Sequence, residues 1–337
     1  MSDRTSLNNS KVLASAAIKA VGLQKVYGEV EAVAGVTFEI AEGEIFAYLG
    51  RNGSGKTTTV RILTTLTRPT AGSATVAGVD ISRPLELRRQ IGVTLQEAAL
   101  DPTMTAFEHV RLVAGLWGMD RREARRRADT ALEAFGLAEH GDRKIASFSG
   151  GMQRRLDICT SLLSQPKVLF LDEPTTGLDP QSRRALWSEL RRLRDGGVTI
   201  FLTTQYLEEA DELADHIAIV DQGSIIAEGT SAALKARHGR TIITVEHSGN
   251  LDELRHSLDG KGPDAAIRST GVNRAEISMA SAIQGSELLD ILGRLRLGGP
   301  QITHLGVRES SLEDVFLDLT GSSIVISADG IRDGAAA

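Results

Sequence analysis

The sequence holds a single cysteine, Cys159, among 337 residues. A chain with one cysteine forms no internal disulfide, which excludes disulfide-stapled secreted scaffolds and fits a reducing compartment. The cysteine stands in the run RRLDICTSLLS, where Leu156, Ile158, Leu162 and Leu163 surround it on a predicted helix. We therefore expect Cys159 to be a plain core thiol.

Long apolar runs and an excess of positive charge are also missing. No apolar run approaches the ~18 to 20 residues that a transmembrane helix needs. The first twenty residues, MSDRTSLNNSKVLASAAIKA, lack the apolar stretch of a signal peptide. The net charge is −6, so no global basic field indicates nucleic acid. These absences predict a cytoplasmic protein that binds no nucleic acid.

Short apolar runs alternate with longer amphipathic segments from about residue 17 to residue 238. Five runs indicate strands that helices cover on both faces: IFAYLG, IGVTLQ, VLFLDEP, VTIFLTT and HIAIVDQG. Between about residues 97 and 150, strand patterns give way to helical ones such as TAFEHVRLVAGLWG. The pattern predicts an α/β domain over residues 17–238 with a mixed sheet and a helical subdomain.

A smaller α+β domain is predicted over residues 239–320. TIITVEH indicates a strand, LDELRHSL a helix, AAIRST and RAEISMA two strands, SAIQGSELLDILGRLR a helix and QITHLGV a strand. That order, β-α-β-β-α-β, is the split βαβ or ferredoxin-like arrangement. A last helix, SLEDVFLDLT, follows, and residues 1–16 and 321–337 are expected to be loose or disordered tails.

The run GRNGSGKTT fits the pattern G-x-x-x-x-G-K-[ST] between a strand-like and a helix-like run. In such a loop, backbone N–H groups surround phosphates at the positive end of a helix, and glycines allow a path that a Cβ would block. Lys56 can contact the β- and γ-phosphates, and the Thr57 hydroxyl can ligate Mg²⁺. The alternative, a glycine-rich turn with a stray lysine, rarely falls between a strand and a helix. The residues expected to bind nucleotide here are Gly50, Asn52, Gly53, Ser54, Gly55, Lys56, Thr57 and Thr58.

Two acids, Asp172 and Glu173, end the apolar strand VLFLDEP. An aspartate at this point is the usual second anchor of Mg²⁺. Glu173 can align a water and accept its proton while the γ-phosphoryl group leaves. Alone, such a pair could be mere capping, but the upstream phosphate loop favours catalysis. The sequence holds no N-K-x-D element that reads guanine, so we expect adenine as the base and ATP as the nucleotide.

A second anion site is predicted at FSGGMQRRLDI. Ser149, Gly150 and Gly151 open a helix there, so a hydroxyl and backbone N–H groups face outward at its positive end. A chain with one phosphate loop and one extra phosphate-binding turn suggests a head-to-tail dimer. Each turn would then cap the ATP of the other subunit.

Together these motifs resemble the ATP-binding cassette (ABC) family across residues 17–238. By that resemblance Gln96, in GVTLQEA, belongs to the Q-loop, where it touches Mg²⁺ or the attacking water and links the helical subdomain to a membrane permease. Asp179, in GLDP, belongs to the D-loop, and Tyr27 stands where the family stacks an aromatic ring on adenine. A lone tyrosine elsewhere would more often be packing. Within the closed dimer, Ser149 and Gly151 would contact the ATP of the partner.

Three positions depart from the common family pattern. Arg51 occupies a variable slot of the phosphate loop, and Phe148 and Met152 flank an intact Ser-Gly-Gly in the signature. Gln205 replaces the switch histidine that much of the family has at this point. An amide cannot titrate, but it can donate an N–H to phosphate and hold the attacking water. We expect Glu173 to be the base and Gln205 the sensor and orienter, against the alternative of a poorly catalytic site.

TTQYLEEAD and the terminal SLEDVFL resemble the daunorubicin/doxorubicin-resistance branch of the family, over roughly residues 17–320. The resemblance implies an exporter ATPase at the cytoplasmic face of the membrane, held by separate permease subunits and paired with a second copy of itself. The cargo would be a drug, an antibiotic or a lipid. An importer ATPase and a soluble ABC ATPase of translation or repair are the alternatives. The arginine cluster 121–127 is either a solvated helix face or a contact with headgroups or the permease.

Overall fold

A computed structural model gives the structure of the protein and describes residues 16–238, 241–248, 252, 265–271, 273–279, 288–293 and 301–321. Apart from residues 16 and 321, both predicted tails lie outside the described residues. The strands are β1 (Ala16–Tyr27), β2 (Val30–Ala41), β3 (Ile45–Gly50), β4 (Ala71–Val76), β5 (Val79–Asp80), β6 (Ile91–Thr94), β7 (Val168–Asp172), β8 (Thr199–Thr204), β9 (His216–Asp221), β10 (Ser224–Gly229), β11 (Thr241–His247), β12 (Ala265–Gly271), β13 (Arg274–Met279) and β14 (Ile302–Glu309). The helices are α1 (Lys56–Leu63), α2 (Pro84–Leu87), α3 (Ala106–Leu116), α4 (Arg121–Ala134), α5 (Gly150–Ser161), α6 (Pro180–Asp195), α7 (Leu207–Leu213), α8 (Ser231–His238) and α9 (Leu312–Thr320).

A six-stranded sheet in the order β10-β9-β3-β8-β7-β6 positions the predicted site. Its strands pair in parallel, except that β10 is antiparallel to β9, so the sheet is mixed as predicted. All five strands predicted from the apolar runs are in this sheet. Because β3, β6, β7 and β8 are parallel, the loops that follow them meet at one edge, where α/β sheets bind ligands.

Two apolar cores cover the opposite faces of this sheet, which is why its strands are apolar throughout. Side chains alternate along β3. Phe46 packs in the core shared with α1 and a second sheet, with its ring centroid 5.6 Å from Phe38 and 5.7 Å from Phe201. Ile45 and Leu49 face the other core, which α5, α6 and α7 complete. The two layers fix β3, and therefore the loop that begins at its end.

A four-stranded antiparallel sheet, in the order β2-β1-β4-β5, covers the α1 side. These four strands were not predicted from the sequence. Pairing of β1 with β2 shifts register between Ala20 and Leu23, where Gly22 has a φ of 56°. Such bulges interrupt the period-two alternation by which a half-exposed strand is recognised.

The helices predicted within residues 97–150 are present as α3, α4 and the start of α5. α3 begins at a capping box, in which Glu108 N–H donates to the Thr105 hydroxyl at 3.2 Å and Thr105 N–H donates to the Glu108 carboxylate at 2.9 Å. Asp120 caps α4 and Ser149 caps α5. Side-chain caps satisfy N–H groups that a helix start leaves unpaired, so local sequence sets where each helix begins.

The C-terminal strands form an antiparallel sheet in the order β12-β13-β11-β14. This order agrees with the predicted ferredoxin-like arrangement, in which the third strand lies between the first and the second. Residues 288–293 are helical and fall within the second predicted helix. The first predicted helix, residues 251–258, lies outside the described residues apart from residue 252.

The last helix, α9, packs against the α/β domain. Its buried residues Leu312, Val315 and Phe316 belong to the core that α5, α6 and α7 share with the central sheet. Neighbouring helices are α7 and α8. The chain thus returns to the α/β domain after the small sheet, while the domain limits given above stay a prediction.

Candidate nucleotide-binding site

A cavity of about 520 Å³ opens at the edge of the central sheet, beside the start of α1. It brings together eight of the residues predicted from the sequence, and Ala32 of β2 joins them. The lining residues are Ala32, Asn52, Gly53, Gly55, Lys56, Thr57, Thr58, Gln96 and Glu173. Loops that follow β3, β6 and β7 therefore converge on one space, as their parallel order requires.

Glycine is required at the last turn of the phosphate loop. Gly53 and Gly55 have φ angles of 83° and 98°, in the region that side chains rarely adopt. A Cβ on Gly55 would lie 2.3 Å from the Ala32 carbonyl oxygen, which leaves no room for one. Ala32 was not predicted because nothing local in the sequence marks it; only the tertiary fold brings β2 against the phosphate loop.

Lys56 is buried and fully paired within the loop. Its Nζ donates to the carbonyl oxygens of Gly50 at 2.9 Å and Arg51 at 3.0 Å, and lies 3.1 Å from Glu173 Oε1. The two charged side chains are only 4% and 8% exposed. Removing one partner of a buried ion pair is strongly destabilising, because the other charge then stays buried without compensation. The predicted base and the predicted phosphate lysine thus hold each other.

Asp172 lies at the bottom of the site and is 1% exposed. Its Oδ1 accepts hydrogen bonds from the hydroxyls of Thr203, at 2.6 Å, and Thr57, at 3.3 Å. Its Oδ2 is buried and has no partner among the described residues. An orphaned carboxylate oxygen beside a threonine hydroxyl is a donor set that suits Mg²⁺, which prefers oxygen ligands.

Glu173 holds an unusual backbone conformation, with a φ of 47°. A non-glycine residue in this region costs on the order of 1 to 2 kcal/mol, so surrounding bonds must maintain it. Its N–H donates to the Thr203 carbonyl at 3.1 Å and is also 3.0 Å from the Thr203 hydroxyl. The Thr176 hydroxyl donates to Oε2 at 3.3 Å. Thr203 therefore orients both acids. The sequence FLTTQ shows only that two threonines end a strand, which does not by itself indicate this role.

Gln96 and Gln205 approach the site from different strands. Gln96 is exposed, lies two residues beyond β6 and lines the cavity. Gln205 follows β8 and is half-buried, but does not line the cavity. The register of β7 and β8 pairs Asp172 with Thr203, which sets Gln205 two residues beyond the level of that acid.

The signature turn lies apart from the phosphate-loop cavity of the same chain. Ser149 and Gly150 are exposed, and the Ser149 hydroxyl accepts from Met152 N–H at 3.3 Å. None of these residues lines the cavity. Gly151 is buried, and a Cβ on it would lie 2.8 Å from the Ser182 hydroxyl oxygen. The turn is a helix start open to solvent.

Asp179 and Tyr27, predicted to contact nucleotide, also lie outside the cavity lining. Asp179 caps α6 and accepts hydrogen bonds from the Ser182 N–H at 2.9 Å and hydroxyl at 2.6 Å. These bonds lower the pKa of the Asp179 carboxyl below its ordinary value. Tyr27 ends β1 and is 46% exposed, with Lys25 Nζ 4.9 Å from its ring centroid. An exposed ring of this kind is free to stack on a planar base.

The family described as ABC transporter matches residues 33–176, and the C-terminal domain of DrrA1-3-like ATP-binding proteins matches residues 229–320. The chain belongs to the ABC transporter family, as one of its ATP-binding subunits.

Within that family, the predicted resemblance to the daunorubicin/doxorubicin-resistance branch is confirmed. The daunorubicin resistance ATP-binding protein DrrA2 of Streptomyces coeruleorubidus is 42% identical over 312 residues, which cover 90% of this chain and 95% of that protein. The doxorubicin resistance ATP-binding protein DrrA of Mycobacterium tuberculosis is 42% identical over 304 residues, covering 89% and 92%. The ATP-binding cassette MJ0796, solved as a post-hydrolysis dimer with ADP and Pi, is 28% identical with a TM-score of 0.58, covering 63% and 98%.

Proposed function

We propose that the chain is the ATP-hydrolysing subunit of an exporter whose membrane permease is a separate polypeptide. The observation that carries this proposal is one cavity that Lys56, Thr57 and Glu173 line, with the Thr57 hydroxyl donating to Asp172 behind them at 3.3 Å. ATP binds there, and its hydrolysis to ADP and phosphate drives transport. The resistance proteins that the chain resembles over nine-tenths of its length support export as the direction.

Hydrolysis uses the ion pair between Lys56 and Glu173. The γ-phosphate competes with Glu173 for Lys56, because phosphate oxygens are strong acceptors of charge-assisted bonds. Release from Lys56 frees the Glu173 carboxylate to take a proton from a water. That water attacks the γ-phosphorus, the bond to the β-phosphate oxygen breaks, and ADP and phosphate leave. The Lys56 ammonium then stabilises the negative charge that develops on the phosphate oxygens.

Mg²⁺ is the metal that this donor set fits, with Thr57, Asp172 and Gln96 as the residues that would hold it. When bound, it would neutralise charge on the β- and γ-phosphates. Gln205 donates an N–H toward the γ-phosphate and orients the attacking water, since an amide takes no proton. Tyr27 stacks on adenine from the end of β1.

A second chain completes each ATP-binding site. The signature turn is exposed and borders no part of its own chain's cavity, which supports contact with the nucleotide of a partner. In a head-to-tail pair, Ser149, Gly150 and Gly151 cap the ATP held by the partner's phosphate loop, and Asp179 lies at the same interface. A dimer bound to ADP and Pi in the related cassette MJ0796 supports this arrangement.

The permease holds the dimer at the cytoplasmic face of the membrane. Among the described residues, none of the helices is both long and apolar enough to cross a bilayer. The cargo is amphiphilic, such as a drug, an antibiotic or a lipid, and the permease sets which. The arginine cluster 121–127 supplies one surface for headgroups or permease, although Glu123 already pairs with Arg126 at 2.7 Å and Arg127 at 2.6 Å.

Affinity capture of the full chain from detergent-solubilised cells tests this proposal. We expect a polytopic membrane protein at near-equal stoichiometry, and drug uptake into inverted vesicles that depends on ATP and stops with Glu173→Gln. Ribosomal or repair proteins without a membrane partner would support a soluble ATPase instead. A membrane partner joined to an external binding protein would indicate import.

A further inference from the structure

One arginine of α5 holds the backbone on both sides of the predicted base. Arg154 is 7% exposed, and its guanidinium donates to two carbonyl oxygens, from Nη2 to Asp172 at 2.8 Å and from Nε to Pro174 at 3.0 Å. These residues flank Glu173, whose positive φ needs outside support. Planar guanidinium donors fix two acceptors at once because their geometry is rigid. Arg154 thus fixes the peptide units on either side of Glu173, in addition to the bonds that Thr203 accepts from the Glu173 N–H.

The same guanidinium also reaches the loop after β6. Its Nη1 donates to the Leu95 carbonyl at 2.5 Å, one residue before Gln96. One turn further along α5, the Oδ2 atom of Asp157 lies 3.6 Å from Arg154 Nη1. Arg154 therefore holds this loop at the residue before the predicted Q-loop glutamine.

Among the described residues, Asp157 is the only carboxylate within ion-pair distance of Arg154, and the separation of 3.6 Å is long for such a pair. Burial lowers the pKa of Arg154 and raises that of Asp157, so desolvation outweighs their mutual attraction at 3.6 Å. Three backbone carbonyl oxygens accept hydrogen bonds from the buried cation, and the carboxylates of Asp157, Asp172 and Glu209 attract it. A buried charge held largely by backbone carbonyls is a poor stabiliser of the fold, but it fixes the position of the backbone segments that it bonds.

We propose that Arg154 is a positioning residue that couples the signature turn to Glu173 and Gln96 of the same chain. This inference rests on the proposed head-to-tail dimer. In that dimer Ser149 lies on the partner's ATP, while Glu173 and Gln96 act on the chain's own ATP. Five residues of helix, about 7.5 Å, separate Ser149 from Arg154. If contact with the partner's ATP shifts α5, Arg154 moves with the helix. The shift is thereby passed to Glu173 and Gln96, which act on the chain's own ATP.

Two variants and one matched control test the proposal in the full-length chain. Arg154→Met removes the three bonds, whereas Arg154→Lys keeps the charge without the fork. Arg155→Met is the control, because Arg155 is the next residue of α5 and donates to a carbonyl of Phe135, away from the cavity. ATP affinity, kcat, the Hill coefficient for ATP and the midpoint of thermal unfolding are measured for each.

We expect Arg154→Met to lower kcat roughly 100-fold, the scale of a small misplacement of catalytic groups. Its ATP dissociation constant should stay within about 3-fold, since Lys56 and the phosphate loop are intact, and its Hill coefficient should fall toward about 1. Arg154→Lys should lose about 10-fold or more in kcat, because one ammonium cannot replace the fork. Arg155→Met should stay within about 2-fold of wild type in the same assay.

The inference is overturned if Arg154→Met keeps the wild-type kcat and Hill coefficient, or if Arg155→Met loses as much as Arg154→Met. If Arg154→Met does not fold, Arg154→Lys decides, and wild-type turnover and cooperativity in that variant overturn the inference. A wild-type chain that neither hydrolyses ATP nor dimerises would instead contradict the proposed function.

Discussion

The phosphate loop and the signature turn are both helix starts rich in glycine, yet their surroundings differ. The phosphate loop lies against a cavity of about 520 Å³, with Lys56 buried and paired to Glu173. The signature turn is exposed, and its Ser149 hydroxyl serves only as a helix cap among the described contacts. The anion site at the phosphate loop is thus nearly complete within one chain. The signature turn does not border the nucleotide cavity of its own chain. The contrast indicates that two chains are needed for one site.

Glu173→Gln should give the largest effect. The amide retains the size of the side chain but accepts no proton, so hydrolysis should fall by about 1,000-fold, within the range of a lost general base. ATP affinity should not fall, since the amide competes less strongly for Lys56. Phosphate release and equilibrium nucleotide binding measure the two quantities. Glu189→Gln, within α6 and outside the cavity lining, serves as control, and hydrolysis by Glu173→Gln at the wild-type rate would show that another group is the base.

Variants of the two anion sites should separate binding from turnover. Ser149→Arg places a bulky charge on the exposed turn, and hydrolysis should drop about 100-fold, as when one element of a transition-state site is lost. ATP binding to the single chain should change less than about 3-fold, because no residue of that turn lines the cavity of its own chain. Lys56→Ala should lose both. Ser147→Arg is the matched control. Equal losses of ATP binding in both serine variants would contradict the predicted difference between the two anion sites.

Gln205 should matter less. Gln205→Ala removes one hydrogen bond to phosphate or water and should reduce kcat about 10-fold, the equivalent of roughly 1.4 kcal/mol. Gln205→His can still donate an N–H, so it should stay within about 3-fold of wild type. Steady-state kinetics at saturating ATP measure both. A loss as large as that of Glu173→Gln would mean that the glutamine itself is indispensable for chemistry.

The smallest effect concerns a buried carboxyl on the helix that carries the signature turn. Burial raises the pKa of Asp157 from its ordinary 3.8 to about 6. The folded chain therefore binds this proton more tightly, and the stability that results is present below about pH 4 and lost as pH rises through 6. Between pH 5 and pH 7.5 the wild type should lose about 1 kcal/mol relative to Asp157→Asn. Denaturant unfolding at both pH values measures the difference, and a constant difference would show that burial leaves this pKa unshifted.

Much of the catalytic half could be predicted because its signals are local. Each apolar run of the central sheet is buried on both faces. Lys56, Gln96 and Glu173 each follow the end of one of its strands, so the parallel order of those strands gathers them at one edge. Helix starts such as Ser149 announce themselves through their caps. The final helix was also recognisable from its apolar face.

Features that depend on partners distant in sequence were not predictable. β1 escaped detection because bulges break its alternation, and Ala32 reaches the phosphate loop only through the pairing of β2. The bonds from Arg154 to Leu95, Asp172 and Pro174 span 18 to 59 residues and end on carbonyl oxygens, which any residue offers. No local pattern marks such contacts.

The most direct test of the two-chain site is a cross-link between chains that each carry one engineered cysteine. One chain would carry Asn52→Cys, and a second chain of different size would carry Ser149→Cys. Both chains would also carry Glu173→Gln, so that bound ATP persists. The native Cys159 is buried and its pKa is raised to about 12, so it should not react. With a short bis-maleimide, we predict a cross-linked species containing both chains that appears only with ATP. Chains that bind ATP without forming that species would contradict the shared site.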